Sequence, residues 1–130
     1  MSLLDLASLD SAAKADDGAD LEVLHPVSGE KLGVVIRLAG ADSAVHRKAT
    51  AAIANRRAKG GFRRTINLDD LQTENIEVLA RCTLGWSGAV LDGKALPFSK
   101  DAAVTLYTRF PWLREQVETF ISDRANYLQD

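Results

Sequence analysis

Leu84-Gly85-Trp86-Ser87-Gly88-Ala89-Val90-Leu91-Asp92-Gly93-Lys94-Ala95-Leu96-Pro97-Phe98-Ser99 is a turn-rich segment with a helical pattern on either side of it. Asp92-Gly93 sits between two apolar-containing arms, 88–91 and 94–98. It is the residue pair that a type I′ hairpin turn asks for, because both central positions need a positive φ. Pro97 ends the second arm, and Ser99 is then expected to cap a helix, with Phe98 and Ala103 in the N′ and N4 places of a hydrophobic staple. Trp86 opens the segment, Trp112 opens the helix beyond it, and Phe98 and Phe110 lie between them. Most of the large aromatic area therefore clusters around this junction, and the fold is expected to lock there.

Downstream, Ala103, Leu106, Tyr107 and Phe110 form the stripe of a helix from about Lys100 to Arg109. Pro111 breaks it and restarts the next, since a proline at the first helical position lacks only an N–H that would have been unpaired anyway. Leu113, Val117, Phe120, Ile121 and Leu128 carry that apolar face toward the C-terminus. Upstream, Asn67 is the expected cap of a helix starting near Leu68, with Leu71, Val78, Leu79 and Cys82 on one face and Gly85 as its terminating glycine. An earlier helix, capped by Asp42 or Ser43, runs to about Lys59 on the small-residue stripe Val45, Ala49, Ala52 and Ile53, and Gly60-Gly61 stops it.

Further upstream, residues 21–24 read as a strand, His25 to Glu30 as a turn, and residues 31–38 as the return strand, with Leu32, Val34, Ile36 and Leu38 alternating onto one face. A two-stranded hairpin is marginal in water, so that face must lie on the helices or on a neighbouring subunit. Residues 1–20, rich in Ala, Asp and Ser, are expected to form a flexible or weakly helical tail before a single domain spanning 21–130. The predicted class is α+β, mostly α: an N-terminal β-hairpin packed with about four helices, and a short Asp-Gly turn between the second and third of them.

At 130 residues the chain is long enough for one real core and too short for two ordinary domains. The net charge of −2 conceals a block pattern: residues 1–44 carry −5, residues 45–64 carry +7 without a single acid, and residues 65–130 carry −4. A lone cysteine, Cys82, rules out an internal disulfide. No apolar run reaches the ~18 residues of a membrane span, and Asp5 and Asp10 interrupt what a secretory leader would keep apolar. The expectation is a cytoplasmic protein with no membrane contact.

No catalytic constellation emerges: there is no Gly-x-Ser-x-Gly elbow, phosphate loop or His-Glu-x-x-His, and the two histidines, His25 and His46, lack companions at ligand spacing. His25, before Pro26, reads as a turn residue. Cys82 reads as a small core hydrophobe with a raised pKa. The chain is accordingly expected to be no enzyme, with no cofactor and no metal. The basic block, including Arg56, Arg57, Arg63 and Arg64, could meet phosphates, but Phe62 is its one aromatic where single-strand binders interleave several. An acidic protein surface, or the chain's own acidic N-terminus, is the more economical partner. Trp86, Gly88, Phe98, Tyr107, Phe110 and Trp112 read first as core and, for whatever they leave exposed, as an interface, since Trp is enriched at binding hot spots.

The series His25-Pro26-x-x-Gly29-x-x-Leu32-Gly33, Asn55-Arg56-Arg57, Trp86-x-Gly88, Asp92-Gly93, Pro97-Phe98-Ser99, Phe110-Pro111-Trp112-Leu113-x-x-Gln116-Val117, Phe120-Ile121 and Asn126-Tyr127 resembles the tail assembly chaperones of long-tailed phages and their prophage relatives. The resemblance covers the chain from about Leu21. It implies a non-enzymatic protein of the bacterial cytoplasm, absent from the mature virion, that holds the tape measure protein while tail tube protein assembles around it. Self-association is left open by it. Two other classes stand as alternatives: a structural tail or head-completion component, and a small nucleic-acid-binding regulator using the basic helix. The partner-binding residues expected from the chemistry are Trp86, Gly88, Phe98, Tyr107, Phe110 and Trp112, together with Arg56 and Arg57.

Overall fold

The computed structural model describes residues 5–60 and 67–128. A 3-10 turn, Leu6–Leu9, precedes helix α1, Ser11–Asp17; Asp10 caps α1 by accepting from the Ala13 N–H at 3.1 Å. Strands β1, Ala19–Leu24, and β2, Lys31–Leu38, form the expected antiparallel hairpin. Two long helices follow, α2 at Ala44–Gly60 and α3 at Leu68–Cys82. Strand β3, Thr83–Ser87, leads into a miniature hairpin of β4, Val90–Leu91, and β5, Lys94–Ala95. Helices α4, Lys100–Arg109, and α5, Pro111–Ser122, meet at a sharp corner, and a 3-10 turn at Arg124–Asn126 follows.

The class is α+β and mostly α, with the N-terminal hairpin as expected. Local signals act where the side chains suggested. Asn67 accepts from the Asp70 N–H at 2.8 Å, Ser43 from the His46 N–H at 3.1 Å and Ser99 from the Ala102 N–H at 2.9 Å, each satisfying one orphan donor of a first helical turn. His25 Nδ1 accepts from the Val27 and Ser28 N–H groups, so this imidazole organises the β1–β2 turn.

The principal correction concerns residues 83–87. The helix expected to reach Gly85 stops at Cys82, and β3 pairs antiparallel with β2, placing Trp86 opposite Ile36 and Gly85 opposite Arg37. The sheet order is β1-β2-β3. The reason lies in β2: Ile36 and Leu38 are fully buried, and their peptide groups need partners on both sides of the strand. Ala39 N–H extends the same ladder to Cys82 C=O at 2.8 Å. Thr83, a β-branched residue, turns its hydroxyl back to Leu79 C=O at 2.8 Å and ends the helix.

Other departures are smaller. The N-terminal twenty residues hold a helix with Ala15 buried, Gly40 N–H donates to Ala15 C=O at 3.1 Å, and Asp16 caps α2 by accepting from Ala44 N–H at 2.7 Å. Leu71, expected on the apolar face of α3, is 44% exposed, while Ile76 is buried there. The final helix ends at Ser122 rather than running on through Leu128. Arg63, Arg64, Phe62 and Gly61 lie outside the described residues. One core joins the inward sheet face (Val23, Ile36, Leu38) to the stripes of α3, α4 and α5, with Leu79, Tyr107 and Val117 among its members.

Candidate partner-binding site

The junction that the sequence points to is a clasp. Asp92 and Gly93 both have positive φ, 52° and 82°, as a type I′ turn requires. Trp86 donates its indole N–H to Leu96 C=O at 2.9 Å and meets the edge of Phe98 with centroids 5.0 Å apart and planes at 87°. Arg109, in the last turn of α4, grips Asp92 through bonds of 2.9 and 3.0 Å, and these hydrogen bonds hold the Asp92 carboxyl below its ordinary pKa. Lys100 donates to the carbonyls of Arg81 and Thr83 at 2.9 and 2.6 Å, where α3 gives way to β3, and lies 5.7 Å from the centre of the Phe98 ring. Burial pulls the Lys100 pKa down.

Gly88 closes the clasp. With φ at 78° and a position where a Cβ would collide with the Gly33 carbonyl oxygen, it admits only glycine. Gly33 itself, φ 79°, lies where the β1–β2 register shifts, so two glycines meet where the ends of β2 and β3 pass one another.

Beside the clasp is a hollow of about 220 Å³ in which every lining side chain is apolar. Leu32 and Val34 of β2 form one wall, Trp86 and Val90 a second, and the Phe110–Trp112 corner the third, over a floor that includes Ile36 and Leu106. The Phe110 and Trp112 rings tilt at 55° with centroids 6.0 Å apart, and the Arg109 guanidinium covers Phe110 at 5.3 Å. Leu32 is 42% and Val90 66% exposed, so the hollow opens directly to solvent.

Three of the expected partner-binding residues, Trp86, Phe110 and Trp112, therefore converge in one concavity. Phe98 stands behind Trp86 and braces it, and Gly88 contributes backbone clearance. Tyr107 is fully buried: its hydroxyl shares a 2.7 Å hydrogen bond with Thr83, and burial pushes its pKa up to about 12. It is a core residue that no partner can reach. Arg56 and Arg57 are also elsewhere. Arg56 bonds Glu77 at 2.6 Å and Arg57 grips Glu74 through two 2.8 Å bonds, so the acids that answer them belong to α3 rather than to the N-terminus. Val90 and Leu32 are site residues that the sequence pattern does not reveal: alternation puts Leu32 on the inward face, yet it stands 42% exposed at the mouth of the hollow.

Gln116 belongs to the series that carries the resemblance, and that series assigns it no role. Its side-chain amide accepts from Leu24 N–H at 3.0 Å and donates to Leu24 C=O at 2.8 Å, acting as a one-residue strand against the outer edge of β1. Cys82 is buried, and desolvation lifts its thiol to about 11, as its place on the apolar face implies. Among the described residues no group of three or more His, Cys, Asp and Glu could hold a metal ion, and no helix is long and apolar enough to cross a membrane. No protein family, curated protein or solved structure compared with the chain matches it.

Proposed function

We propose that the chain is a non-enzymatic binding module that receives an apolar segment of a client protein in the Trp86–Phe110–Trp112 hollow. In the specific form that the resemblance to phage proteins implies, it is a cytoplasmic tail assembly chaperone. Its client is then the tape measure protein, which it keeps soluble while tail tube protein assembles around it. The observation that carries this reading is the hollow itself: a wholly apolar concavity, walled by two tryptophans and open to water at Leu32 and Val90. Leaving such surface wet is unfavourable by roughly 25 cal/mol for each Å², and one leucine-sized side chain seated there would contribute about 1.5–3 kcal/mol. One such contact is too weak to hold a segment by itself, so capture takes several apolar side chains of one segment together, each readily released, which suits a chaperone.

The test is co-purification of the tape measure protein from cells producing both proteins, comparing the natural chain with Val90→Asp. Val90 is mostly exposed, so the substitution spares the fold while placing a carboxylate in the apolar mouth. Client should be lost at unchanged thermal midpoint. Retention of client by Val90→Asp would overturn the site, and recovery of the chain from purified virions would replace the chaperone reading with that of a structural tail component.

A further inference from the structure

A second concavity, of about 460 Å³, runs between the outer edge of β1 and α5. Its apolar lining includes Leu21, Leu24 and Phe120, and Trp112 is the wall that it shares with the hollow of the clasp. The charged side chains that line it are all acidic: Glu22, Glu115 and Asp123, with no lysine or arginine. Glu22 is answered by Lys31 at 2.9 Å, whereas Glu115 and Asp123 enter no ion pair among the described residues.

We infer that this groove receives a segment of a partner protein whose apolar side chains are flanked by lysine or arginine, and that the segment continues across Trp112 into the hollow. The inference rests on the reading of the chain as a client-binding module and names the chemistry of the client. Charge complementarity selects the occupant: a cation beside the apolar side chain meets Glu115 and Asp123, while an acidic flank is repelled by the same pair. The mode of docking follows from Gln116. Because its amide already occupies the N–H and C=O of Leu24, an incoming strand cannot extend the sheet at that point, and the occupant engages through side chains, as an amphipathic helix does in a groove.

The probes are a synthetic amphipathic helix of leucine and lysine and its leucine–glutamate counterpart, both free of tryptophan. Binding is followed on the full chain by the fluorescence of Trp86 and Trp112, its two tryptophans. Two exposed charge pairs predict that the lysine peptide binds about fivefold tighter or more, and that this preference shrinks as salt is raised. The variant Glu115→Lys/Asp123→Asn should erase the preference; Asp17→Lys/Asp101→Asn, which changes the net charge equally at positions outside the groove, should keep it. Thermal melts of both variants separate a lost site from a lost fold. Equal affinity for the two peptides, no binding of either, or equal effects of the two variants would overturn the inference. So would a self-associated form that only the groove variant dissociates, because the groove would then belong to a second copy of the chain. Loss of client in the Val90→Asp co-purification alongside indifferent peptides would leave the hollow standing while removing the basic-segment assignment.

Discussion

Arg109 and Asp92 are joined by a two-pronged ion pair, 2.9 and 3.0 Å, that ties the tip of the β4–β5 hairpin to the C-terminal turn of α4. The hairpin has two residues in each strand and little area of its own to bury, so its position depends on this grip and on the Trp86–Leu96 bond. Because Val90 belongs to that hairpin, the shape of the hollow depends on the same pair. Arg109→Gln should leave the thermal midpoint nearly unchanged, since the pair is exposed and screened by water. Amide hydrogen exchange at Leu96, whose N–H bonds Ala89 C=O, should nevertheless accelerate. Unchanged exchange would mean that Arg109 does not hold the hairpin.

Gly88→Ala should destabilise the protein by about 2 kcal/mol or more, from a left-handed backbone combined with a collision against backbone that cannot swing aside. Urea unfolding of this variant measures it. A loss under about half a kcal/mol would show that β2 and β3 can separate at this point without cost.

Tyr107→Phe removes one partner of the buried Thr83 hydroxyl while leaving its bond to Leu79 C=O. The expected loss is about 1–2 kcal/mol of stability with client and peptide binding unchanged. A variant of full stability and impaired binding would return Tyr107 to the interface.

Hydrogen bonding to Arg124 is the main cause that takes the Asp42 pKa from 3.8 down to about 2. A carboxylate with a depressed folded-state pKa stabilises fully above its unfolded value and loses that contribution as the pH falls through the folded one. The pair linking the start of α2 to the C-terminal 3-10 turn should therefore stabilise evenly above about pH 4 and fade toward about pH 2. Unfolding of the natural chain and Asp42→Asn across this range should show a gap that closes in acid. A gap independent of pH would assign the effect to something other than charge.

Neutralised by Glu77 and Glu74, Arg56 and Arg57 should not bind duplex DNA near physiological salt. Four arginines free to meet phosphates would produce a slope of roughly −3 to −4 in log affinity against log salt. Titration of labelled duplex should reveal no such slope; a slope of that size, roughly halved when Arg56 and Arg57 become glutamine and lost when Arg63 and Arg64 are changed as well, would promote the nucleic-acid alternative.

Much of this chain is legible one residue at a time. The Asp92-Gly93 turn, the caps at Asn67, Ser43 and Ser99, Pro111 at the start of α5 and the alternation of β2 were all readable, because each depends on sterics or hydrogen bonds within a few residues of its own backbone. Tertiary structure alone decided that residues 83–87 form the third strand, since their partners in β2, such as Ile36 opposite Trp86, are remote in sequence, and helix and strand signals compete at Leu84-Gly85-Trp86. It decided that Tyr107 turns inward to Thr83 while its neighbours Phe110 and Trp112 reach the surface, a choice set by which side of α4 faces the sheet. It decided, too, which acids answer Arg56 and Arg57. Composition supplied the aromatics for a binding hollow; only the crossing of β2, the hairpin and the α4–α5 corner determined which of them water can reach, because concavity is a property of three elements together and of none alone.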